Sequence, residues 1–402
     1  MLPDTAAQRA AFLRSRRIRR IIVKLGSGTL TDASLGLRVP TIRSLSAQVA
    51  RIRETRGIEV VVVTSGAIAA GRKKLGMVDR PRTIALKQAA AAVGQTTLMR
   101  AYERAFEKRG LKVGQLLLTH EDFENRVRYL NAKNTLETLL SRGIVPIINE
   151  NDTVATEEIR LGDNDHLAAL VTQLMGADIL LILTDSDGLY TRDPHRFTDA
   201  QRIPLLAAVD DDLLRSAGRT GGAVGTGGME SKLLAARLVT AGGTPVVIAG
   251  GLSRSAILDV LDGKETGTLI LPRGAVKMRS RKLWIAHARQ PQGMLLVDDG
   301  AMNVLLEGGK SLLPAGILGV SGIFQAGDAV SIGDRKGRVF ARGIASWSSE
   351  QVGKGMGRKS VEVRSLLGED TPAEVVHRDN LTILAAMGGD TPPRAGRGHS
   401  ST

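Results

Sequence analysis

Two lysines in glycine-rich surroundings are the side chains best suited to chemistry in this sequence. Lys24 lies in Val23-Lys24-Leu25-Gly26-Ser27-Gly28, directly after the apolar run Ile21-Ile22-Val23. Lys232 ends Gly225-Thr226-Gly227-Gly228-Met229-Glu230-Ser231-Lys232, where a helix-like segment opens. A cation at a strand end beside bare backbone amides suits a phosphate, because glycine lets N–H groups approach phosphate oxygens closely. Two such cations far apart in sequence suggest one phosphoryl group held from both ends. The pattern G-x-x-x-x-G-K-[ST] is absent, and no full G-x-G-x-x-G follows the first apolar run. Taken alone, Lys24 is equally compatible with a lysine stem lying beside a tight turn.

The residues between the two lysines add to the pair. Val63-Thr64-Ser65-Gly66-Ala67-Ile68-Ala69-Ala70-Gly71 places Ser65 where it either caps a helix or bonds a ligand carboxylate. The run Asn149-Glu150-Asn151-Asp152 follows a buried-strand pattern, and Asp152 suits an amino acid's ammonium group better than a surface turn does. Gly162-Asp163-Asn164-Asp165 carries three acceptors where a helix cap needs one, which leaves a carboxylate to pair with the lysines. Thr184 and Asp185 end another apolar run, where an adenine or ribose contact belongs, and Gly188 and Pro194 imply an ordered turn beyond them. Residues 218–232 read as a mobile flap whose amides wrap phosphates, against the alternative of a plain flexible loop.

These residues need a frame. Short apolar runs alternate with amphipathic segments over 18–272. Strands are expected at Arg20–Lys24, Glu59–Thr64, Val113–Leu118, Ile144–Ile148, Ile179–Thr184 and Pro245–Ala249. Helices are expected at Pro40–Thr55, Ile84–Lys108, Asn131–Ser141, Asp165–Met175, Met229–Ala241 and Ser255–Leu261. This order predicts an α/β fold with a mainly parallel open sheet sandwiched by helices, and ligands at the carboxyl ends of its strands. A linker over 273–290 leads to a small β-rich domain over 291–368, with runs at Met294–Val297, Ser311–Leu313, Ala329–Ser331 and Val339–Ile344 and weak helical patterning. The tail, 369–402, is polar, and its last part is expected to be disordered.

Composition narrows the class. At 402 residues, two domains are expected. A hydrophobic fraction of 43% with 24% charged residues is that of a globular protein, and the apolar runs are too short to span a bilayer. With no cysteine, thiolate catalysis and Cys-based zinc sites are excluded, and the chain is expected in the cytoplasm. The net charge of +14 favours acidic ligands without choosing between nucleotides, carboxylates and RNA. Residues 1–17 form a basic lead-in; reading Arg14–Arg20 as the end of a presequence is weaker, because no cleavable spacer or apolar region accompanies it.

Together the segments resemble the amino acid kinase family, and within it the branch whose acceptor is glutamate. The resemblance rests on Val23-Lys24-Leu25-Gly26, residues 63–71, Ile148-Asn149-Glu150-Asn151-Asp152, Gly162–Asp165, Leu183-Thr184-Asp185, Gly188-Leu189-Tyr190 and Gly225–Met229. It covers 18–272, and 291–368 resembles the PUA domain. It implies transfer of a phosphoryl group from ATP, with Mg²⁺, to the γ-carboxylate of L-glutamate, giving L-glutamyl 5-phosphate, the first step of proline biosynthesis. A γ-carboxylate is already ionised at neutral pH, so the reaction needs charge stabilisation and alignment rather than a base. By resemblance, Lys24 stabilises the moving phosphoryl, Lys232 the departing ADP, and Asp165 organises both. Ser65, Asp152 and Asn164 match glutamate-binding positions. Lys24, Thr184, Asp185, Thr226, Gly227, Gly228, Met229, Glu230, Ser231 and Lys232 match ATP-binding ones. The metal is carried by the ATP phosphates. A homo-oligomer, dimer or tetramer, and feedback inhibition by proline are implied in the same way.

Three positions depart from the family pattern: Ser27-Gly28-Thr29, His166 where Asn is common, and Glu230 where a small residue is frequent. Glu230 puts a negative charge beside the phosphate loop and so bears on ATP affinity. One rival reading is another carboxylate or phosphate kinase of the same family, against which 63–71 and 148–152 argue. The other is an RNA-binding protein working through the PUA-like part, favoured by the net charge and by Lys354, Arg358 and Lys359. The aromatic content of 3% stocks a base-stacking platform poorly.

Overall fold

The structure, a computed structural model, describes residues 5–32, 36–77, 79, 81–154, 163–194, 196–219, 228–272, 291–368 and 371–384. The chain divides into two compact units, residues 1–280 and 281–402.

The first unit is built on an eight-stranded sheet. Its strands are β1 (Arg20–Leu25), β4 (Glu59–Val63), β5 (Val113–Leu118), β6 (Val145–Glu150), β7 (Ile179–Thr184), β8 (Leu205–Leu206), β9 (Val246–Gly250) and β10 (Thr268–Ile270), in the order β5-β6-β4-β1-β7-β9-β10-β8. A separate hairpin pairs β2 (Thr31–Asp32) with β3 (Gly36–Leu37). The six strands from β5 to β9 in that order run parallel. Their Val, Ile and Leu runs are buried almost without alternation, because helices cover both faces. One edge departs from the expected parallel arrangement: β10 pairs antiparallel with β9.

One face of the sheet packs against α3 (Val39–Arg56) and α5 (Ile84–Glu107), whose Ile42, Leu45, Val49, Leu98, Tyr102 and Phe106 join Val23, Val62, Ile147 and Leu181 in a single core. The helix α4 (Ala67–Lys74) lies on α5 at very close range, since a Cβ on Gly71 would sit 1.7 Å from the Ala90 carbonyl oxygen and one on Gly94 1.8 Å from that of Ala67. Helices α8 (Asp163–Met175) and α10 (Met229–Ala241) pack on each other and on the strands.

Other elements exceed the expectation. The basic lead-in holds a helix, α1 (Thr5–Ser15). Its Arg9 is fully buried and donates to the carbonyl oxygens of Pro204, Gly267 and Thr266, at 3.2 Å and 2.7 Å for the first two. The short helices α2 (Ser27–Leu30) and α6 (His120–Glu124) and the helix α9 (Asp211–Arg219) are also present, while α7 (Arg126–Ser141) begins five residues before the expected Asn131. Asn125 explains that early start, because its side chain accepts from the amides of Val127 and Arg128 and caps the helix there. Helix α11 (Ala256–Leu261) stands where it was expected.

The second unit carries a five-stranded sheet, β12-β11-β13-β14-β15, from β11 (Gly293–Val297), β12 (Ile317–Gly322), β13 (Ala329–Gly333), β14 (Val339–Ile344) and β15 (Leu381–Ile383). Helices α12 (Asp299–Leu306), α13 (Ser349–Gly355) and α14 (Ser360–Leu367) accompany it, so helical content is higher than the patterning suggested. The expected run Ser311–Leu313 is not a strand; Leu312 makes a single bridge to Val376. The β-rich fold also extends past 368, since β15 pairs with β14, and Val375 and Val376 are buried in the second core. Residues 385–402, which include the last part of the tail expected to be disordered, and the linker 273–290 lie outside the described residues.

Candidate active site

The site forms at the carboxyl edge of the parallel strands, with β1 in the middle. The register aligns Lys24 with Val63 of β4 on one side and with Ile182 of β7 on the other. Val63 in turn aligns with Ile148 of β6, and Ile182 with Ile248 of β9. Residues just past these levels on β4 and β6 form one flank of the edge, and those on β7 and β9 form the other.

Side chains alternate along β1, so Val23 and Leu25 enter the α3–α5 core while Lys24 points to the other face. There it meets Asp165, near the start of α8, with Lys24 Nζ 2.6 Å from Oδ1. Lys232, in the first turn of α10, reaches the other oxygen, Oδ2, at 3.3 Å. Ser231 Oγ lies 2.8 Å from Asp165 Oδ2 and 2.8 Å from the Gly228 carbonyl oxygen, its one proton shared between two acceptors. Lys24, Lys232 and Asp165 are 4%, 5% and 1% exposed, so their charges interact with little screening by water. Burial alone would push the Asp165 carboxyl up, but Lys24 and then Lys232 outweigh it and hold the carboxyl below its usual range. Burial, aided by the charge of Lys232, holds the Lys24 ammonium below its usual range, although Asp165 opposes the shift. The triad bears two positive charges and one negative, so an anion entering it is favoured.

The β7 flank carries Thr184 and Asp185. Thr184 Oγ1 donates to Asp185 Oδ1 at 2.9 Å, and the Ser186 amide donates to the same oxygen at 3.2 Å. Asp185 also lies within electrostatic reach of Lys24. Its Oδ2 would be 2.7 Å from a Cβ on Gly28, so a side chain at residue 28 would displace the Asp185 carboxylate from the β1–α2 turn. Gly228, Met229 and Glu230 lead into α10; Glu230 is half-buried in its first turn, where a carboxylate is favoured by the helix dipole. Thr226 and Gly227 lie outside the described residues.

The other flank carries Ser65, Asp152 and Asn164. Ser65 is buried just past β4, before Gly66, whose φ of +103° turns the chain into α4. Asp152 lies in the turn after β6. Asn164 adjoins Asp165 on α8, and its Oδ1 is buried without a partner. The structure thus brings Lys24, Asp165, Ser231 and Lys232 into contact, sets Thr184 and Asp185 on one flank, and leaves Ser65, Asp152 and Asn164 around the other.

Several residues behind the site escaped the sequence reading. Tyr102, on α5, lies 2.7 Å from Thr64 Oγ1 through its hydroxyl, and Thr64 donates to the Ser65 carbonyl at 3.2 Å. Burial pushes the Tyr102 phenol up, with Thr64 opposing, so it remains a proton donor. Asn149 Nδ2 donates to Gln95 Oε1 at 2.9 Å. The available signal was the spacing of Gln95, Leu98 and Tyr102, which shares one helix face. His166 stacks at a tilt on His120, 5.1 Å between ring centroids, and burial followed by the His120 charge lowers it to about 4.

Comparison with known proteins identifies the family. The model of the amino acid kinase family matches residues 19–250, and that of the PUA domain matches 293–367. The glutamate 5-kinase of Geobacter sulfurreducens is 48% identical over 368 residues, covering 92% of this chain and 98% of its own. That of Citrifermentans bemidjiense is 49% identical over 369 residues, covering 92% and 98%. Among solved structures, the UMP kinase of Bacillus anthracis superposes with a TM-score of 0.45 at 16% identity, over 66% of this chain and all of its own. With a family model matching more than half of its length and relatives matched almost end to end, the chain belongs to the amino acid kinase family, in its glutamate 5-kinase branch with a C-terminal PUA domain.

Proposed function

We propose that this protein transfers the γ-phosphoryl group of ATP to the γ-carboxylate of L-glutamate, giving L-glutamyl 5-phosphate and ADP, the first step of proline biosynthesis. The observation that carries the reading is the buried Lys24–Asp165–Lys232 triad at the carboxyl edge of the sheet. Two anions must meet for this reaction, and both nucleophile and phosphate are already charged. The task is to neutralise and align them, and two lysines fixed by one carboxylate suit it. Lys24, central on β1, stabilises the phosphoryl group in transit. Lys232, at the start of α10, faces the ADP side; residues 226–231 belong to the ATP-binding set in this reading. Thr184 and Asp185 sit on the nucleotide flank; Ser65, Asp152 and Asn164 receive glutamate on the other.

Mg²⁺ fits this reading as an ion carried by ATP, because such sites hold it largely through phosphate oxygens. Among the described residues no group of three or more His, Asp or Glu gathers as a metal site. Asp185 is the nearest carboxylate to the β1–α2 turn and is available to orient a Mg²⁺-bound phosphate. Bound Mg²⁺ supplies charge neutralisation between the phosphates.

Residues 18–272 make up the kinase domain in this reading, and the second unit a PUA-like domain. The family resemblance extends it to a homo-oligomer, to proline as a feedback inhibitor and to a cytoplasmic location; among the described residues no helix is long and apolar enough to cross a membrane. The RNA reading is not favoured, because Phe324, Phe340 and Trp347 of the second unit are buried in its core and offer no stacking surface.

With ATP, glutamate and hydroxylamine, the full-length protein is expected to form γ-glutamyl hydroxamate, and to prefer glutamate over aspartate, N-acetylglutamate and UMP. Lys24→Ala and Lys232→Ala should each lower turnover by about 10²-fold or more with the fold retained. Absence of hydroxamate from glutamate, or wild-type turnover in either variant, would overturn the reading.

A further inference from the structure

Helix α5 approaches the acceptor flank with a polar side chain that the proposed chemistry does not use. Gln95 lies on the same face as Leu98 and Tyr102, which pack in the core under β4 and β6. Gln95 Oε1 accepts from Asn149 Nδ2 at 2.9 Å. That single bond leaves Asn149 Oδ1 and Gln95 Nε2 buried without hydrogen-bond partners. A buried carbonyl oxygen left unpaired costs free energy with no return in the ligand-free protein. Asn149 is 2% exposed and sits one residue beyond Ile148, whose register leads through Val63 to Lys24. Its free acceptor therefore lies on the acceptor flank, one residue past the level of the catalytic lysine and three before Asp152.

A carboxamide can turn over, exchanging its oxygen for its nitrogen. In the structure Gln95 Oε1 takes the Asn149 Nδ2 proton, which leaves Oδ1 outward from that bond. Among the described residues, this contact to Asn149 is the polar tie of the Gln95 amide.

We propose that Gln95 is a positioning residue for the acceptor amino acid: by holding the Asn149 carboxamide through Nδ2, it presents Asn149 Oδ1 as a hydrogen-bond acceptor to the α-ammonium group. This rests on the reading of glutamate as acceptor. Glutamate then meets an oriented amide oxygen beside the Asp152 carboxylate. An acceptor lacking the ammonium gains nothing from Gln95.

The test is steady-state kinetics of the full-length protein with Gln95→Met, which keeps the volume and removes the bond to Asn149, and Gln95→Glu, which keeps an oxygen for Asn149 Nδ2. Gln95→Met is expected to raise the glutamate KM about tenfold, while kcat and the KM for ATP stay at wild-type values. The inhibition constant of glutarate, which has both carboxylates and no ammonium, should not change. Gln95→Glu should recover most of the glutamate KM. If Gln95→Met does not fold, Gln95→Asn, which withdraws the amide by one methylene, should raise the KM in the same way. An unchanged glutamate KM, or a glutarate constant that rises in step with it, overturns the inference. A wild-type protein inactive towards glutamate overturns the acceptor reading instead, and is seen before any variant is made.

Discussion

Asp165→Asn probes the triad most directly, because it keeps the shape and removes one charge. Lys24 and Lys232 reach the two Asp165 oxygens at 2.6 Å and 3.3 Å in a site closed to water. The variant leaves two ammonium groups buried together, with the bridging carboxylate gone and Asp185 acting on Lys24 from farther away. Removing one partner of a buried ion pair costs about 3–5 kcal/mol. The protein has one means of relief: Lys24 is already held below its usual range by burial and by Lys232, and without the carboxylate it gives up its proton more readily. The stability loss is therefore expected near the lower figure, about 3 kcal/mol. Turnover should fall further than stability suggests, by about 10²- to 10³-fold, since a neutral amine stabilises little phosphoryl charge. The pH dependence has a definite sign. Catalysis needs protonated Lys24, and the variant loses that proton at lower pH, so the alkaline limb of kcat/KM moves down in pH. Urea unfolding measures the first effect, and hydroxamate formation followed through the alkaline range measures the other two. Wild-type turnover in the variant, or an alkaline limb that stays put or moves up, would refute the reasoning.

Three further substitutions read other parts of the frame. Arg9→Ala removes the guanidinium donor from the carbonyls of Gly267 and Thr266 and leaves that of Pro204 with the Leu269 amide; it should cost about 3 kcal/mol in urea unfolding, and an unchanged midpoint would show that α1 is not part of the folded core. Gly94→Ala forces a methyl to within 1.8 Å of the Ala67 carbonyl oxygen, so α4 must shift, with a loss of about 1–3 kcal/mol and a KM that rises for glutamate more than for ATP; equal changes in both would count against α4 as an acceptor-side element. His166→Asn tests a stability window. Folded His166 titrates at about 4 against an ordinary 6.5, so the unfolded chain binds the extra proton and the wild type loses stability as pH falls between those values. The variant should lose about 3 kcal/mol less over that range, and parallel stability–pH curves would contradict this.

The sheet was legible because strands buried on both faces are written as unbroken Val, Ile and Leu runs. Ile179–Thr184 and Arg20–Leu25 stand where those runs place them. The edge was less legible: β10 is three residues long and β8 two, too short to show a period. The helix α1 was hidden by its basic composition, and the distant carbonyls of residues 204, 266 and 267 make the burial of Arg9 tolerable. In the second unit, Leu381–Ile383 follows a polar stretch, and its pairing with β14 is a tertiary fact with no local signature. At the site, Lys24, Asp165 and Lys232 were readable as charges placed just past buried strands or at helix starts. Gln95 and Tyr102 were not, because a polar residue on a helix announces no partner until the strand beneath it is known.

The triad also explains why a buried carboxylate belongs in a site made for anions. Two lysines without Asp165 would hold an anion strongly, but burial and mutual repulsion would strip one of them of its proton before the anion arrived. Two carboxylates would leave no net charge to attract phosphate. One carboxylate between two ammonium groups opposes the loss of the Lys24 proton and leaves a single positive charge over. Ser231 adds a neutral donor to Asp165 Oδ2, the oxygen shared with Lys232, while Lys24 binds Oδ1. The two lysines are therefore held on separate oxygens of one rigid group, and their spacing is set before any ligand binds. In phosphoryl transfer that spacing matters most, since charge moves from one end of the transferring group to the other and the donors must already be in place.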